Sequence, residues 1–425
     1  MRKLLVFSFL GLVACNHNPL NYNIEDISMS PIAELKAGLK FDCAHEFIPA
    51  PTDEAELVFK YARWLQKNNE LKREPEKNVE VERLYRIAAE SGHHRARINL
   101  QNGAMRRQFK LKGEEYQRFS QELIDADVAT GYYFVARFVK HGAFGLRENP
   151  EMALRYYRKA ADKGSAQAQQ YIADLLAPID IAPEVARQLR RCAAEQGNRD
   201  AAVDLAIDFA IDGHYEKAVE VFQLGVAAGS PIAASFLEEG FKGPPPERKL
   251  YYLALEKDLE RAKRYEEIGA RLSGFSYAHP TVPDVNEIVP LPPAELPEWD
   301  GKLRWVKERK ANIPPPKPSD ELILRLANAK KLDPATGKPL PSSPDFTQAN
   351  FPQQICYPGE ACPQAGHWKV IWPSLRNVRP KEVIRYFDEG DIFPLQTVER
   401  YHLRPWPLRD KTTFREEAVE WGLIE

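Results

Sequence analysis

The sequence predicts a mainly α-helical fold, an α-solenoid of stacked helical hairpins followed by a proline-rich segment and a small carboxy-terminal cap. Three observations predict it. Small residues keep fixed offsets around positions 92, 126, 164, 197 and 229, which lie 34, 38, 33 and 32 residues apart. That interval is the length of one helix, turn, helix unit. Prolines become frequent after residue 275, and tryptophans and tyrosines become frequent near the end of the chain.

The chain begins with the pattern of an exported, lipid-modified protein. Arg2 and Lys3 precede an apolar run over residues 4–13 that is too short to span a bilayer as a helix. The letters LVAC, ending at Cys15, resemble the bacterial lipobox, in which the cysteine is acylated and becomes the first residue after cleavage. We therefore expect a signal peptide over residues 1–14, a leading tether over 15–54 and a lipid anchor on Cys15. Asn16 follows where Asp would signal inner-membrane retention, so we expect the outer membrane, on its periplasmic side.

The repeat consists of an aromatic residue, a small residue four positions later, a turn glycine and an alanine on the next helix. Residues four apart share one helix face, and small side chains let the partner helix approach closely. Glycine ends the first helix because the terminating residue often adopts positive φ. One hairpin cannot cover its own apolar face, so copies stack into a superhelix with a concave surface. The defining positions are Tyr85, Ala89, Gly92 and Ala96; Tyr157, Ala161, Gly164 and Ala168; Ala194, Gly197 and Ala201; and Phe222, Gly229 and Ala233, with a looser copy at Phe119, Leu123, Ala126 and Thr130.

These offsets, with Gly142 and the Asn149 and Pro150 link into the next helix, resemble the SEL-like repeat, a relative of the tetratricopeptide repeat. The resemblance covers about residues 55–275. It implies a scaffold that binds other proteins. Arg190 stands where the other units have an aromatic residue, which leaves the curvature of that unit open.

Residues 276–318 hold a run of prolines that excludes a continuous helix and favours extended chain. The segment is too apolar for a free linker, so we expect it to lie against the repeats. Its large apolar residues are Ile288, Val289, Leu291, Leu296, Trp299 and Trp305.

Residues 319–425 are expected to form either a small α+β domain or an irregular cap on the superhelix. Ser319 and the acidic residues after it predict a helix in SDELILRLANAKK. The segment GHWKVIWP is short, aromatic and β-branched, which suits a strand. Two more helices are predicted, in RPKEVIRYFDEG, with Pro380 at its start and Gly390 past its end, and in FREEAVEWGL.

Export would place the remaining cysteines in an oxidising compartment, where pairing is permitted. Cys356 and Cys362 enclose a short loop whose proline and glycine favour a tight reversal, so we expect a disulfide between them. Cys192 suits a small apolar residue between helices, and Cys43 lies far from it in the sequence.

The sequence predicts no catalytic residue, cofactor or metal, because no nucleophile, base and oxyanion donors occur in a recognisable pattern. GFSYA at residues 274–278 approaches a nucleophile elbow, but it follows a helical pattern and lacks the final glycine. The net charge of −2 argues against nucleic acid as a partner. A mixed zinc site is the alternative to the disulfide, and the oxidising compartment favours the disulfide; its ligands would be Cys356, Cys362, His367 and His402.

Candidate partner-binding residues lie in the acidic and aromatic tail. The run YFDEGD places carboxylates at a predicted helix end, where the macrodipole already carries negative charge. The patch is interpreted either as a surface that meets a basic cleft or as a solvated turn. Trp, Tyr and Arg are over-represented among binding hot spots, although most of the aromatic residues here suit a core. The candidates are Asp388, Glu389, Asp391, Phe387, Trp368, Arg404 and Trp406.

From the lipobox to the tail motif GEACPQAGHWKV, the chain resembles SEL-like periplasmic lipoproteins that act as immunity proteins of type VI secretion systems. Proteins of this type commonly neutralise phospholipase toxins, often of the phospholipase D type. The resemblance implies a one-to-one complex in which the superhelix grips the toxin and a loop or the cap blocks its active site. The alternative is a lipid-anchored envelope scaffold that joins several partners.

Overall fold

The computed structural model describes residues 40–144, 146, 148–177, 182–345, 355–371, 383–402 and 411–423. The chain divides into two compact units, Met1–Lys338 and Pro339–Glu425, called here the helical unit and the strand unit. The predicted signal peptide and Cys15 lie outside the described residues. Within the described ranges, no helix combines the length and the apolar character needed to cross a bilayer.

The helical unit is a series of antiparallel helices in which each of the first eleven packs on the next. This confirms the predicted α-solenoid of SEL-like hairpins. In the described part of the unit, the α-helices are α1 Asp53–Asn69, α2 Pro75–Glu90, α3 His94–Met105, α4 Gly113–Asp125, α5 Ala129–His141, α6 Pro150–Asp162, α7 Ala166–Leu176, α8 Pro183–Glu195, α9 Arg199–Ile211, α10 Tyr215–Ala227, α11 Pro231–Phe241, α12 Leu259–Gly274, α13 Val285–Ile288, α14 Arg304–Ala311 and α15 Asp320–Ala329.

The predicted repeat glycines lie at equivalent bends. Gly92, Gly164, Gly197 and Gly229 have φ of +89°, +103°, +85° and +88°. At each bend the residue after the glycine donates its N–H to the carbonyl oxygen five residues earlier, at 2.8 to 3.0 Å. The looser copy makes the same bend with Asp127, whose φ is +55°. The bends therefore repeat in hydrogen bonding as well as in sequence.

The alanine that follows each glycine is the third residue of the second helix. Its N–H is bonded by the side chain that caps that helix, as in Ser165 Oγ to Ala168 N at 3.3 Å and Ser230 Oγ to Ala233 N at 3.2 Å. His93 caps α3 in the same way through Nδ1, 3.1 Å from Ala96 N. The aromatic and alanine side chains that define the repeat are buried.

Residues 40–49 form an extended amino-terminal strap across the ends of three hairpins. Glu46 accepts a hydrogen bond from Thr130 N at 2.5 Å, and its own N–H donates to Gln196 Oε1 at 2.9 Å. Gln169 Nε2 donates to the Ala44 carbonyl oxygen at 2.9 Å. The strap passes so close to Gly164 that a Cβ there would lie 2.4 Å from the His45 carbonyl carbon.

The proline-rich segment packs on α9 to α12. Val282, Val289 and Leu303 are buried in the same apolar cluster as those helices. Arg264 of α12 donates to the carbonyl oxygens of Ile288 at 2.7 Å and Pro297 at 2.8 Å, which satisfies backbone groups that have no helical partner. The segment is not extended throughout, because α13 and α14 form between its prolines.

The helical unit continues to Lys338, past the boundary at 318 that the sequence predicts. Ser319 caps α15, as predicted, and accepts from Leu322 N at 3.2 Å. Ile323 and Ala327 of α15 are buried with α1 to α3, so this helix closes on the first hairpin. The predicted division fails because pairing of the last helix with the first is not visible in local pattern.

The strand unit contains six described strands: β1 Ile355–Cys356, β2 Gly366–Ile371, β3 Ile384–Phe387, β4 Gln396–His402, β5 Lys411–Glu417 and β6 Glu420–Leu423. One antiparallel sheet has the order β1, β6, β2, β3, with His367 opposite Tyr386 and Val370 opposite Trp421. Strands β4 and β5 form a separate ladder.

The strand predicted in GHWKVIWP is confirmed, and two predicted helices are wrong. IRYF forms β3, and FREEAVEWGL lies in β5 and β6. Charged residues with high helix propensity occur in both segments. In the structure, however, β3 pairs with β2, and β6 pairs with β1 and β2, which lie about 50 or more residues earlier in the chain. Tertiary pairing overrides the local preference here.

Candidate protein-binding surface

The second helices of successive hairpins carry partly exposed side chains at one repeat position, three residues after the repeat alanine. Since repeat-equivalent positions lie along one surface of a solenoid, these residues form a line that we call the strip. Its members are Asn99, Tyr171, Asp204 and Phe236. Tyr133, which is counted with them here, lies one position before the equivalent residue Phe134, and its ring is 5.9 Å from that of Tyr157.

Three strip residues contact the residue at the aromatic position of the first helix in their own hairpin. Tyr171 stacks on buried Tyr157 with ring centroids 3.9 Å apart, and Phe236 stacks on Phe222 at 4.7 Å. Asn99 Nδ2 donates to the Tyr85 hydroxyl at 3.3 Å. The buried ring therefore fixes the orientation of the exposed one, which lowers the entropy that a partner must remove on binding.

Contacts between neighbouring second helices make the strip continuous. Lys140 of α5 donates from Nζ to the Tyr171 hydroxyl at 3.1 Å, with the ammonium 4.7 Å from the ring centroid. Gln170 of α7 donates to Asp204 of α9 at 2.7 Å. Three hairpins thus present one surface.

Arg190 explains the departure of its unit from the repeat. It is buried where the other units have a ring, and its guanidinium pairs with Asp208 of α9 and with Asp174 of α7 at 3.1 Å. Asp204 takes the strip position next to it. In this unit two ion pairs of Arg190 take the place of the stacked aromatic rings. They link α8 to α7 and to α9.

Burial raises the pKa of the Asp204 carboxyl, and the carboxylates of Asp174 and Asp208 add to the effect. The hydrogen bond from Gln170 and the charge of Arg190 act against it. Asp204 therefore holds a carboxylate in surroundings that are short of positive charge.

Two of the candidate residues in the tail are core residues. Trp368 and Phe387 are buried with Phe393 and Trp421, so their side chains are not available to a partner. Their positions on β2 and β3 put them on the inner face, whereas His367 and Tyr386 lie on the outer face with rings 5.3 Å apart.

Asp388, Glu389 and Asp391 are exposed in a turn after β3 rather than at a helix end. Asp391 accepts a hydrogen bond from Asp388 N at 2.9 Å, so this carboxylate stabilises the turn itself. Because no helix of the described residues ends here, no helix macrodipole acts on these carboxylates. Arg404 and Trp406 lie outside the described residues.

The structure places the disulfide elsewhere than predicted. Cys43 of the strap is bonded to Cys192 of α8, while Cys356 and Cys362 are free, buried thiols. The loop between the latter two pairs with the chain beside it: Gly359 N donates to the Phe393 carbonyl oxygen at 2.9 Å and Cys362 N to that of Asp391 at 2.6 Å. The Cys362 thiol itself donates to the Gln364 carbonyl oxygen at 3.0 Å.

Among the described residues, one group of thiol, imidazole and carboxylate side chains lies within metal-binding distance. It comprises Cys43, His45 and Cys192, with ligand atoms within 4.8 Å of one another. Both sulfur atoms are used in the disulfide, so the group in this state offers one imidazole. The zinc alternative in the tail includes His402, whose side chain lies outside the described set.

The strip was not predicted from the sequence, although its positions follow from the repeat register. Counting three residues on from each repeat alanine finds Asn99, Tyr171, Asp204 and Phe236 directly. What the register does not show is that these side chains stay partly exposed while their neighbours are buried.

Comparison with known proteins gives one family match and several similar structures. A domain of unknown function, DUF6396, matches residues 233–340. A comparison with curated proteins gives no significant match. Immunity protein Pa5087 from Pseudomonas aeruginosa is 25% identical over 60% of this chain and 95% of its own, with a TM-score of 0.47. Immunity protein PA5088 from the same organism is 24% identical over 60% of this chain and 94% of its own, with a TM-score of 0.47.

A Sel1 repeat protein from Oxalobacter formigenes is 17% identical over 51% of this chain and 87% of its own, with a TM-score of 0.38. All three TM-scores are below 0.5, which is too low to assign this chain a function.

Proposed function

We propose that this chain is a lipid-anchored periplasmic immunity protein that binds a secreted phospholipase toxin one to one and blocks its active site. The observation that carries the proposal is the strip, in which Tyr133, Tyr171 and Phe236 are held partly exposed along one solenoid surface. Oriented aromatic side chains of this kind are the usual energetic centres of protein interfaces. The chain acts by binding and has no catalytic step of its own.

The class of toxin comes from the resemblance to SEL-like immunity lipoproteins, and two of the similar structures are named immunity proteins. The proposed lipid on Cys15 would keep the inhibitor at the membrane that a phospholipase attacks. The 24 residues between Cys15 and Lys40, where the described strap begins, span at most about 85 Å. That reach lets the tethered solenoid meet a membrane-bound toxin.

The test uses the product of the gene next to this one, which the proposal predicts to be a phospholipase. Isothermal titration with the purified chain is expected to give a stoichiometry near one, and the complex is expected to lose phospholipid hydrolysis. Absence of binding, together with unchanged hydrolysis, would overturn the proposal.

The double variant Tyr133→Ser and Tyr171→Ser tests the strip itself. Binding is expected to weaken by about 30-fold or more, since hot-spot truncations cost about 2 kcal/mol or more. Ile211→Ser is the matched control, because Ile211 is 78% exposed and lies off the strip. Thermal melting of each variant separates lost contact from lost fold. If the double variant is folded and binds as tightly as the control, the interface does not include these two strip residues.

The anchor is tested separately. Replacement of Cys15 by serine is expected to move the chain from the membrane fraction to the soluble fraction of exported protein. An unchanged distribution would exclude lipidation at Cys15.

A further inference from the structure

The strip changes character at Asp204, where a carboxylate stands between the aromatic positions of the neighbouring hairpins. Tyr171 precedes it on α7 and Phe236 follows it on α11, at the equivalent repeat positions. The three side chains are partly exposed, and Gln170, next to Tyr171, is bonded to Asp204 at 2.7 Å. A partner that covers the strip therefore also covers this carboxylate.

The charges around Asp204 do not balance. The Arg190 guanidinium is shared by Asp174 and Asp208, and Arg187 pairs with Asp212. Within the part of the chain that the structure describes, no cation lies within ion-pair distance of Asp204. Arg190 is thus ion-paired with Asp174 and Asp208, and Asp204 is left with a hydrogen bond from the neutral side chain of Gln170.

Covering such a carboxylate without a cation is costly, because desolvation is then uncompensated. We infer that the partner presents an arginine or lysine to Asp204, flanked by apolar groups that rest on Tyr171 and Phe236. This inference rests on the proposed function and names the chemistry that the toxin surface must supply.

An apolar partner segment fits this position less well, because it would leave Asp204 buried and unpaired. A free metal ion also fits less well, since Asp174 and Asp208 are already bonded to Arg190. A basic side chain restores charge balance at Asp204, and its aliphatic stem can rest against the partly exposed rings of Tyr171 and Phe236.

The test compares Asp204→Gln with Asp204→Glu, two variants of equal length that differ in charge. Binding to the toxin that the proposed function assigns to the neighbouring gene is measured by isothermal titration at low and high salt. The Gln variant is expected to bind at least tenfold more weakly than the parent chain and to lose much of the salt dependence, whereas the Glu variant stays within about threefold. Asp200→Asn is the matched control, since Asp200 is exposed on the same helix α9 and lies off the strip.

Each outcome decides the matter. Equal binding by the Gln and Glu variants, with the parent chain binding normally, would overturn this inference and leave the proposed function standing. No binding by the parent chain would overturn the proposed function, and this inference with it. If both variants melt below the parent chain, the salt dependence of the parent complex decides: a flat dependence would overturn the inference, and a steep one that the Gln variant lacks would support it.

Discussion

Arg309 lies beside Glu70, with Nη2 3.6 Å from Oε2, although the two residues belong to opposite ends of the helical unit. Glu70 follows α1, and Arg309 is in α14, which comes after the last solenoid hairpin. The same guanidinium is 5.3 Å from the ring of Tyr277, just past the end of α12. One arginine therefore contacts the residues that directly follow the first and the last solenoid helices, so the chain after the solenoid joins its two ends.

Replacement of Arg309 by alanine is expected to lower the stability of the helical unit by about 1 kcal/mol, because Glu70 loses its cation in a half-buried setting. Glu70 Oε2 has no hydrogen-bond partner among the described residues, which makes the ion pair its main compensation. Urea unfolding of Arg309→Ala, Glu70→Ala and the double variant measures the coupling. Additive effects of the two single variants would show that the closure does not depend on this pair.

The bends at Gly164 and Gly229 are expected to be much less tolerant than the bend at Gly197. A Cβ at Gly164 would lie 2.4 Å from the His45 carbonyl carbon, and one at Gly229 would lie 1.9 Å from the Pro280 carbonyl oxygen. Gly197 has nothing within 4 Å. Gly197→Ala should cost about 1 kcal/mol for its positive φ, whereas Gly164→Ala and Gly229→Ala should cost about 2 to 4 kcal/mol. Thermal melting of the three variants checks the order, and equal shifts would contradict it.

The disulfide between Cys43 and Cys192 is expected to fasten the strap to α8. The two residues are 149 positions apart, so the bond closes a long loop, and its removal should cost about 2 to 5 kcal/mol. Peptide mapping under non-reducing conditions should recover these two cysteines linked and Cys356 and Cys362 alkylated. A linked peptide that contains Cys356 and Cys362 would restore the pairing that the sequence predicts. The melting temperature of Cys43→Ser measures the stabilisation.

His93 is expected to make stability fall in acid. It is buried, its Nδ1 accepts from Ala96 N, and its Nε2 lies 2.8 Å from Glu56, so the neutral ring satisfies both contacts. Burial lowers the pKa of His93, against the raising effect of Glu56. The unfolded chain therefore binds the proton more readily. The contribution of the neutral His93 ring to the free energy of unfolding is therefore fully present above about pH 6.5, and it is lost as the pH falls through the lowered pKa of the folded state.

The variant His93→Asn keeps a capping side chain of the kind found at Asn198 in another hairpin. Urea unfolding at pH 7.5 and 5.5 should show a smaller loss of stability in this variant than in the parent chain. An identical loss would assign the acid sensitivity to other groups, among which His94 also has a lowered pKa.

The hairpins could be predicted because their signals are local. The spacing from Tyr157 to Ala161, Gly164 and Ala168 reflects helix period, positive φ and capping, and each of these acts over a few residues. The same register carries the strip, so part of the candidate surface was also within reach of the sequence. Ser319 and GHWKV were predictable for the same reason, a cap in one case and β-branched and aromatic composition in the other.

The tail shows the limit of local signals. Trp368 and Phe387 were candidates for a partner because large aromatic residues are common both in cores and in interfaces. Only the pairing of β2 with β3 and β6 decides which face of each strand is covered. The helix predicted before the acidic turn is instead strand β3, because Ile384–Phe387 pairs with β2.

The sequence by itself determined the helical hairpins, their bends and their caps, because hydrogen bonds and packing within about 35 residues fix them. The tertiary structure alone decided that Cys43 meets Cys192 and that Arg309 reaches Glu70. These contacts join segments far apart in the chain, where closing the intervening loops costs entropy that only the assembled solenoid offsets.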